Sequence, residues 1–532
     1  MSFTKFVTSI SLLMVRKRLG ATSQSLENSN QTCQDLVDQI NISPAGEEKI
    51  ISKTSTSMLP RLPSSPRSLL AATLEMFWTV VPFCIAAPLG KTRRSLPRAT
   101  PTSYINGLRG VACLIVFNQH VLYLLCPWSL RAYGAPDVIK NVLQMPIIRV
   151  VYAGDGMVAL FFVLSGYVLA YSPLRMIRAG TPADEFLTRL SSSVLRRGIR
   201  LFTPMLAFGL MTAVLTWVLP WYEAPKAMNR WRQDDDSSLS AFFKHLSRFA
   251  VDALSGMDPF DFSWANGEPE GWSHCWTIPH QYRGSLAVYM ACLVTCRLTP
   301  TIRKAMFLGL ALWVICSPRH YWEMSCFFSG LLLAEARIPS TSNSLQPQPC
   351  KPWKKHFSVA IRTLALIVST VFLGWPVWGS TTQQPYVLLR RVIIPETWAS
   401  DGFYEGDHSR RYLYSIGVVL MFWALQGLPW AKRLLSRPEL IYLGEIGYSF
   451  FLLHWMVLYS YGRYLYSYLH YIDAYSRNCP LVVYLSTLAI SIIVADLFWK
   501  AVDEGGIKLA KFLVQDCLKV GDEGRLKIDM NT

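Results

Sequence analysis

The sequence is poor in charge for its length. Only 16% of its 532 residues are Asp, Glu, Lys or Arg, whereas 51% are hydrophobic. A typical soluble domain contains about 25% charged residues. This shortage excludes an ordinary soluble surface, and several runs of about 20 apolar residues are each long enough to cross a bilayer. The composition therefore predicts an integral membrane protein embedded in the lipid bilayer.

Three further observations argue against particular classes of protein or site. No internal repeat is visible, which argues against transporters built from inverted repeats. The 12 cysteines are scattered and no Cys/His group has zinc-site spacing, so we expect no metal. The net charge of +17 does not predict nucleic-acid binding, because the basic residues lie in short segments between apolar runs, as cytoplasmic loops do.

The apolar runs predict an all-α fold, a polytopic transmembrane helical bundle of about 10–11 spans. Sequons at Asn30 and Asn41 predict a glycoprotein if the N-terminal tail is luminal. The predicted divisions are a disordered polar tail at 1–67, an extra span with a basic linker at 68–99, a membrane domain at 100–505 with a luminal loop at 221–282, and a cytoplasmic tail at 506–532.

One predicted span, 107–127, has an arginine at its start and a histidine inside it. Arg109 and His120 are eleven residues apart, which is about 16 Å along a helix and close to three turns, so both face the same side. Ionisable residues within membrane spans tend to mark functional sites. A neutral histidine suits a general base, because its ordinary pKa of about 6.5 is near neutral pH. The alternative is a buried, hydrogen-bonded structural histidine.

Three further polar residues lie in or beside apolar runs. His454 is the second histidine inside a predicted span, and it is either a second catalytic group or a cap or core histidine. Asp155 precedes the next apolar run and could orient a base or simply mark a helix entrance. Ser165 and Gly166 form a small step that either contacts substrate or lets a neighbouring helix approach closely.

Two polar clusters complete the set of candidates. Arg196, Arg197 and Arg200 stand together at the start of a span. They could grip phosphate, since the planar guanidinium binds phosphate oxygens bidentately, or they could set topology and contact lipid headgroups. The second cluster lies where the luminal loop returns to the membrane, and it includes Trp276 and Gln281.

Several of these stretches, in this order and spacing, resemble the membrane acyltransferase-3 family, which includes bacterial O-antigen and peptidoglycan O-acetylases and fungal secondary-metabolite acetyltransferases. The resemblance covers about residues 100 to 500. It is carried by Gly107-Leu108-Arg109-Gly110 with His120, by Phe161-Phe162-Val163-Leu164-Ser165-Gly166, and by Tyr448-Ser449 leading into Leu453-His454. The run Trp276-Thr277-Ile278-Pro279, followed by Tyr282-Arg283-Gly284-Ser285, is similar to the fungal branch in particular.

The resemblance implies an O-acyltransferase of the endoplasmic reticulum that uses acetyl-CoA as co-substrate, with no bound cofactor, and a small lipophilic alcohol as acceptor. It implies catalytic roles for Arg109 and His120 and a donor site at the arginine cluster. Whether His120 acts as base or as transient acyl carrier stays open. Alternatives are O-acylation of a cell-surface polysaccharide and a non-catalytic, transporter-like protein.

One residue departs from the pattern that the resemblance implies. Gln281 stands where a glutamate is expected. Glutamine keeps a hydrogen-bonding carbonyl but cannot carry charge or accept a proton as a base. Either that glutamate is structural in the family, or this protein has reduced or altered activity.

Overall fold

The computed structural model describes residues 81–83, 100, 102–135, 140–218, 239–260, 274–317, 321–339, 352–377, 386–394, 409–472 and 479–523. All regular elements within these ranges are helical, which confirms the predicted all-α class. The predicted tail at 1–67, with both sequons, and most of 68–99 lie outside the described residues.

The described ranges contain sixteen α-helices of seven or more residues. They are α1 (Ser103–Leu125), α2 (Gly154–Arg178), α3 (Ala183–Val218), α4 (Leu239–Gly256), α5 (Thr277–Val294), α6 (Pro300–Cys316), α7 (Trp322–Arg337), α8 (Pro352–Leu373), α9 (Tyr386–Ile393), α10 (Ser409–Leu425), α11 (Pro429–Leu435), α12 (Pro438–Glu445), α13 (Gly447–Val457), α14 (Arg463–Ile472), α15 (Cys479–Phe498) and α16 (Glu504–Glu523). Short helical turns connect α1 to α2, and π-helical turns follow α13 and α15.

The length and composition of these helices limit which of them could each cross a bilayer. Among the described residues, five are long and apolar enough, or up to seven if each of two bent pairs counts as one span. The bends are 98° between α10 and α11 and 72° after α12. With 17 and 16 residues, α6 and α7 fall short of the roughly 20 residues that a span needs. The polytopic bundle is confirmed, and the number of about 10–11 spans stays a prediction, because one predicted span lies largely outside the described residues.

Two of the predicted domain boundaries fall within helices, and the division of the chain stays a prediction. The luminal loop predicted at 221–282 contains α4, and α5 begins inside its last residues. Residue 505, the predicted end of the membrane domain, falls within a helical stretch that runs from Cys479 to Leu513 and contains a segment apolar enough to cross a bilayer.

Close backbone contact between α2 and α7 forms the centre of the bundle. A Cβ on Gly166 would overlap the carbonyl oxygen of Phe327, and a Cβ on Gly330 would overlap that of Val163. Each helix therefore offers a glycine where the backbone of the other crosses. Gly166 is thus a packing residue, and the neighbouring Ser165 is only 8% exposed; its role as a substrate contact stays a prediction.

The glycines of the Gly107-Leu-Arg-Gly motif let α1 touch the bent segment that precedes α13. A Cβ on Gly107 would overlap the carbonyl oxygen of Leu435, and one on Gly110 would lie 2.6 Å from that of Leu440. Side chains at these positions would push α11 and α12 away from α1. The bend after α12 then turns α13 back across α1, so the motif's glycines help to position α13.

Candidate active site

Two histidines meet where α13 crosses α1. Nδ1 of His120 lies 2.7 Å from Nε2 of His454. Their rings are parallel to within 5°, with centroids 5.0 Å apart. The crossing is held by the rings of Phe117 and Phe450, 5.7 Å apart, and by the Cys113 thiol, which donates to the carbonyl of Gly447. The two histidines found inside predicted spans therefore form one site.

The hydrogen-bond partners assign the tautomers of this pair. Nδ1 of His454 lies 3.0 Å from the carbonyl oxygen of Phe450, which can only accept, so this nitrogen carries the proton. Nε2 of a neutral His454 is then an acceptor, and Nδ1 of His120 must donate to it. Nε2 of His120 is left with an available lone pair and has no hydrogen-bond partner among the described residues. His120 is thus prepared to accept a proton or to act as a nucleophile.

Aromatic rings and a third histidine surround the pair. Trp455 stands edge-on to His120, with centroids 4.7 Å apart, and stacks on His274. His274 lies 5.8 Å from His454, and its Nε2 donates to the carbonyl of Leu452 over 3.0 Å. His274 has no role predicted from the sequence, because it precedes α5 in a loop. Its position two residues before Trp276 in the fungal-type motif was the available signal.

Two polar atoms beside the histidines are buried and unpaired. Nδ1 of His274 and Nε1 of Trp455 have no hydrogen-bond partner within the described part of the chain. Leaving such an atom unsatisfied costs about 1–3 kcal/mol. An acceptor, Nδ1, and a donor, Nε1–H, are therefore available next to His120 for the oxygen atoms of a ligand.

A second cluster lies towards the start of α1 and consists of arginines. Arg197 donates from Nε to the Ser285 hydroxyl over 3.0 Å and from Nη2 to Oε1 of Gln281 over 3.2 Å. Arg109 and Arg200 are close enough for their charges to repel each other and that of Arg197. Arg109 has no hydrogen bond or ion pair with the described residues.

This arginine cluster retains excess positive charge. Asp503 is the carboxylate within electrostatic range of Arg200. The hydroxyl of Tyr448 donates to the carbonyl of Leu201 over 2.6 Å, so the start of α13 is fixed beside the cluster. Arg196, Arg197 and Arg200 all lie within electrostatic range of Tyr289. Three arginines against one acid make a site for an anion, and guanidinium groups bind phosphate well.

The structure does not bring the other candidates to the histidine pair. Asp155 accepts from the amide of Gln119 over 2.9 Å and lies 3.4 Å from Arg410, whereas His454 contacts His120. Trp276 packs edge-on against His280 at 5.2 Å. In the described ranges no group of three or more His, Cys, Asp or Glu side chains is arranged to hold a metal ion.

Comparisons with known proteins give a consistent result. The family described as an acyltransferase domain matches residues 102–500. The chain is 28% identical to O-acetyltransferase PaAT-1 of Phomopsis amygdali over 79% of this chain and 86% of that protein. It is 23% identical to acyltransferase R4 of Phoma sp. (strain ATCC 20986 / MF5453), over 72% and 88% respectively. It is also 23% identical to acyltransferase clz18 of Cochliobolus lunatus, over 70% and 86%. No solved structure matches.

Proposed function

We propose that this chain, which belongs to the acyltransferase domain family over residues 102–500, transfers an acetyl group from acetyl-CoA to a hydroxyl of a small lipophilic metabolite. The name of the relative PaAT-1, an O-acetyltransferase, supports acetyl as the group and oxygen as the acceptor atom. The single observation that carries the proposal is the hydrogen-bonded pair of His120 and His454. Location in the endoplasmic reticulum remains a prediction from the sequence.

In the proposed reaction His120 is the general base. Its Nε2 takes the proton of the acceptor hydroxyl while that oxygen attacks the thioester carbonyl. The ester C–O bond forms, the C–S bond breaks, and the proton passes to the departing CoA sulfur. His454 holds His120 in the required tautomer and stabilises the imidazolium that forms, as an orienting partner does in a catalytic triad. The same lone pair would serve if His120 were acylated first.

The arginine cluster is the proposed donor site. Arg109, Arg197 and Arg200 would bind the phosphate groups of acetyl-CoA through charge-assisted hydrogen bonds. Arg109 and His120 share α1 and are about 16 Å apart along it. This separation favours donor binding by Arg109 over polarisation of the thioester. The pantetheine arm would run along α1, past Cys113, to bring the thioester to His120.

The unpaired atoms near His120 have roles in the same proposal. Nε1–H of Trp455 would donate to the oxygen of the thioester carbonyl as it becomes an oxyanion. Nδ1 of His274 would accept a hydrogen bond from the acceptor molecule. Both atoms are buried without partners among the described residues, so hydrogen bonds to the substrates would satisfy two polar groups that are otherwise costly to bury.

The test is a transfer assay with membranes from a host that expresses the full chain. Labelled acetyl-CoA is supplied with a panel of hydroxylated terpenoids and polyketides, and products are identified by mass spectrometry beside the His120→Ala variant. An acetylated product that depends on His120 supports the proposal. Label found in polysaccharide would mean that the acceptor is a glycan and not a small metabolite. Absence of both transfer and CoA binding would contradict it.

A further inference from the structure

A second cationic cavity lies apart from both clusters, where the ends of α2, α6 and α7 meet. Its volume is about 450 Å³, and Arg178, Lys304 and Arg337 are its charged lining residues. None of the arginines of the proposed donor site lines it. All three charged residues come from segments whose basic character predicts the cytoplasmic side. The cavity therefore opens at the membrane face that carries anionic lipid headgroups.

The charge around this cavity is incompletely balanced. Arg178 and Arg303 both donate to the same oxygen of Glu335, over 2.7 and 2.8 Å, and all three side chains are largely buried. One carboxylate shared by two guanidinium groups leaves a net positive charge. Lys304 and Arg337 add two more, and neither has an ion pair with the described residues. Within the described part of the chain, no Asp or Glu lines the cavity.

The start of α6 adds donors to the same cavity. Pro300 and Thr301 line it and are the first two residues of this 17-residue helix, which has no side-chain cap. The first N–H groups of a helix lack intrahelical partners, and the helix dipole places partial positive charge there. A helix start together with three unbalanced cations is a suitable environment for a phosphate group.

The outer face of α6 identifies the kind of phosphate compound. Ile302, Met306 and Trp313 are 50%, 38% and 70% exposed, and their spacing places them on one side of the helix. An apolar strip thus leads away from the cationic cavity. We propose that the cavity binds the phosphate of an anionic phospholipid, with the acyl chains lying along this strip of α6. A soluble phosphate compound would make no use of the strip.

The test is lipid retention by the purified full-length protein, measured by native mass spectrometry. The probes are phosphatidic acid and phosphatidylcholine of equal chain length. The variant is Lys304→Ala with Arg337→Ala, which leaves the buried Glu335 pairs intact and so preserves the fold. The matched control is Arg433→Ala with Arg437→Ala, which removes two exposed cations next to α11 and α12, outside the cavity.

We expect the wild type and the control to retain phosphatidic acid in preference to phosphatidylcholine. The cavity variant should bind phosphatidic acid about tenfold or more weakly, because each basic residue near an anionic lipid contributes to its binding. Equal retention by the cavity variant would overturn the proposal, as would failure of the wild type to retain the lipid. Displacement of the lipid by inorganic phosphate or CoA at millimolar concentration would reassign the cavity to a soluble ligand.

Discussion

Arg109 and His120 lie on one face of α1, and the surroundings of the two residues differ. Around His120 the neighbours are aromatic rings and two further histidines, and the described residues place no charged group in hydrogen-bond contact with the pair. Around Arg109 there are two more arginines, an amide, a hydroxyl and one acid. About 16 Å along one helix therefore separates the proposed proton-transfer site from the proposed anion site. If the proposed roles are correct, substitutions at the two ends should change different kinetic constants.

The largest effect is expected from removing the base. His120→Ala should reduce kcat by about 10²–10⁴-fold, the usual contribution of general base catalysis, while acetyl-CoA still binds. The measurement is steady-state transfer together with CoA binding. His470→Ala, at an exposed histidine of α14, is the control and should behave as wild type. Undiminished turnover in His120→Ala would show that His120 is not the general base.

His454 can be tested through the hydrogen bond that it accepts. His454→Leu deprives Nδ1–H of His120 of its acceptor, so the required tautomer is no longer held, and kcat should fall by about 10²-fold. His454→Gln retains a carbonyl acceptor and should recover part of that loss. KM for acetyl-CoA should stay constant in both. Identical activity in the two variants would mean that His454 fills space and does not orient the base.

Trp455 separates a packing role from a hydrogen-bonding role at the same end. Trp455→Phe keeps an aromatic ring against His120 but removes the unpaired Nε1–H. If that group stabilises the oxyanion, kcat should fall by about 10- to 10²-fold, with melting temperature nearly unchanged. A drop in melting temperature that accounts for the lost activity would assign Trp455 to packing instead.

Substitutions in the arginine cluster should change KM for acetyl-CoA. Arg109→Gln removes a charge-assisted contact to phosphate and should raise KM for acetyl-CoA about tenfold, equivalent to about 1.4 kcal/mol, with little change in kcat. Arg189→Gln is the control, because Arg189 is exposed and pairs with Glu185. A lower kcat with unchanged KM would place Arg109 at the thioester, and the distinction between the two ends would fail.

Much of this arrangement could be predicted from the sequence, for reasons that differ by residue. The all-α class follows from apolar runs, and His120 and His454 stand out because membrane spans rarely contain ionisable groups. The direct contact between them depends on the bend after α12, which no local pattern records. His274 could not be predicted, because the sequence of a loop does not show burial that arises only when the loop packs against α13. For Asp155 the sequence leaves two alternatives, an orienting partner of a base or a polar residue at a helix entrance, and its contacts with Gln119 and Arg410 depend on tertiary structure.

The smallest effect is expected at Gln281, where a substitution tests the charge of the arginine cluster. Because Oε1 of Gln281 accepts from Arg197, Gln281→Glu would place a carboxylate on that guanidinium and cancel one of three cations. KM for acetyl-CoA should rise about threefold, as expected for a partly exposed charge pair worth less than 1 kcal/mol, and kcat should hold. Gln281→Ala is the control, since it removes the hydrogen bond without adding charge. A gain in kcat on introducing Glu would instead mean that a carboxylate here takes part in the reaction, and that this chain works at a reduced rate without it.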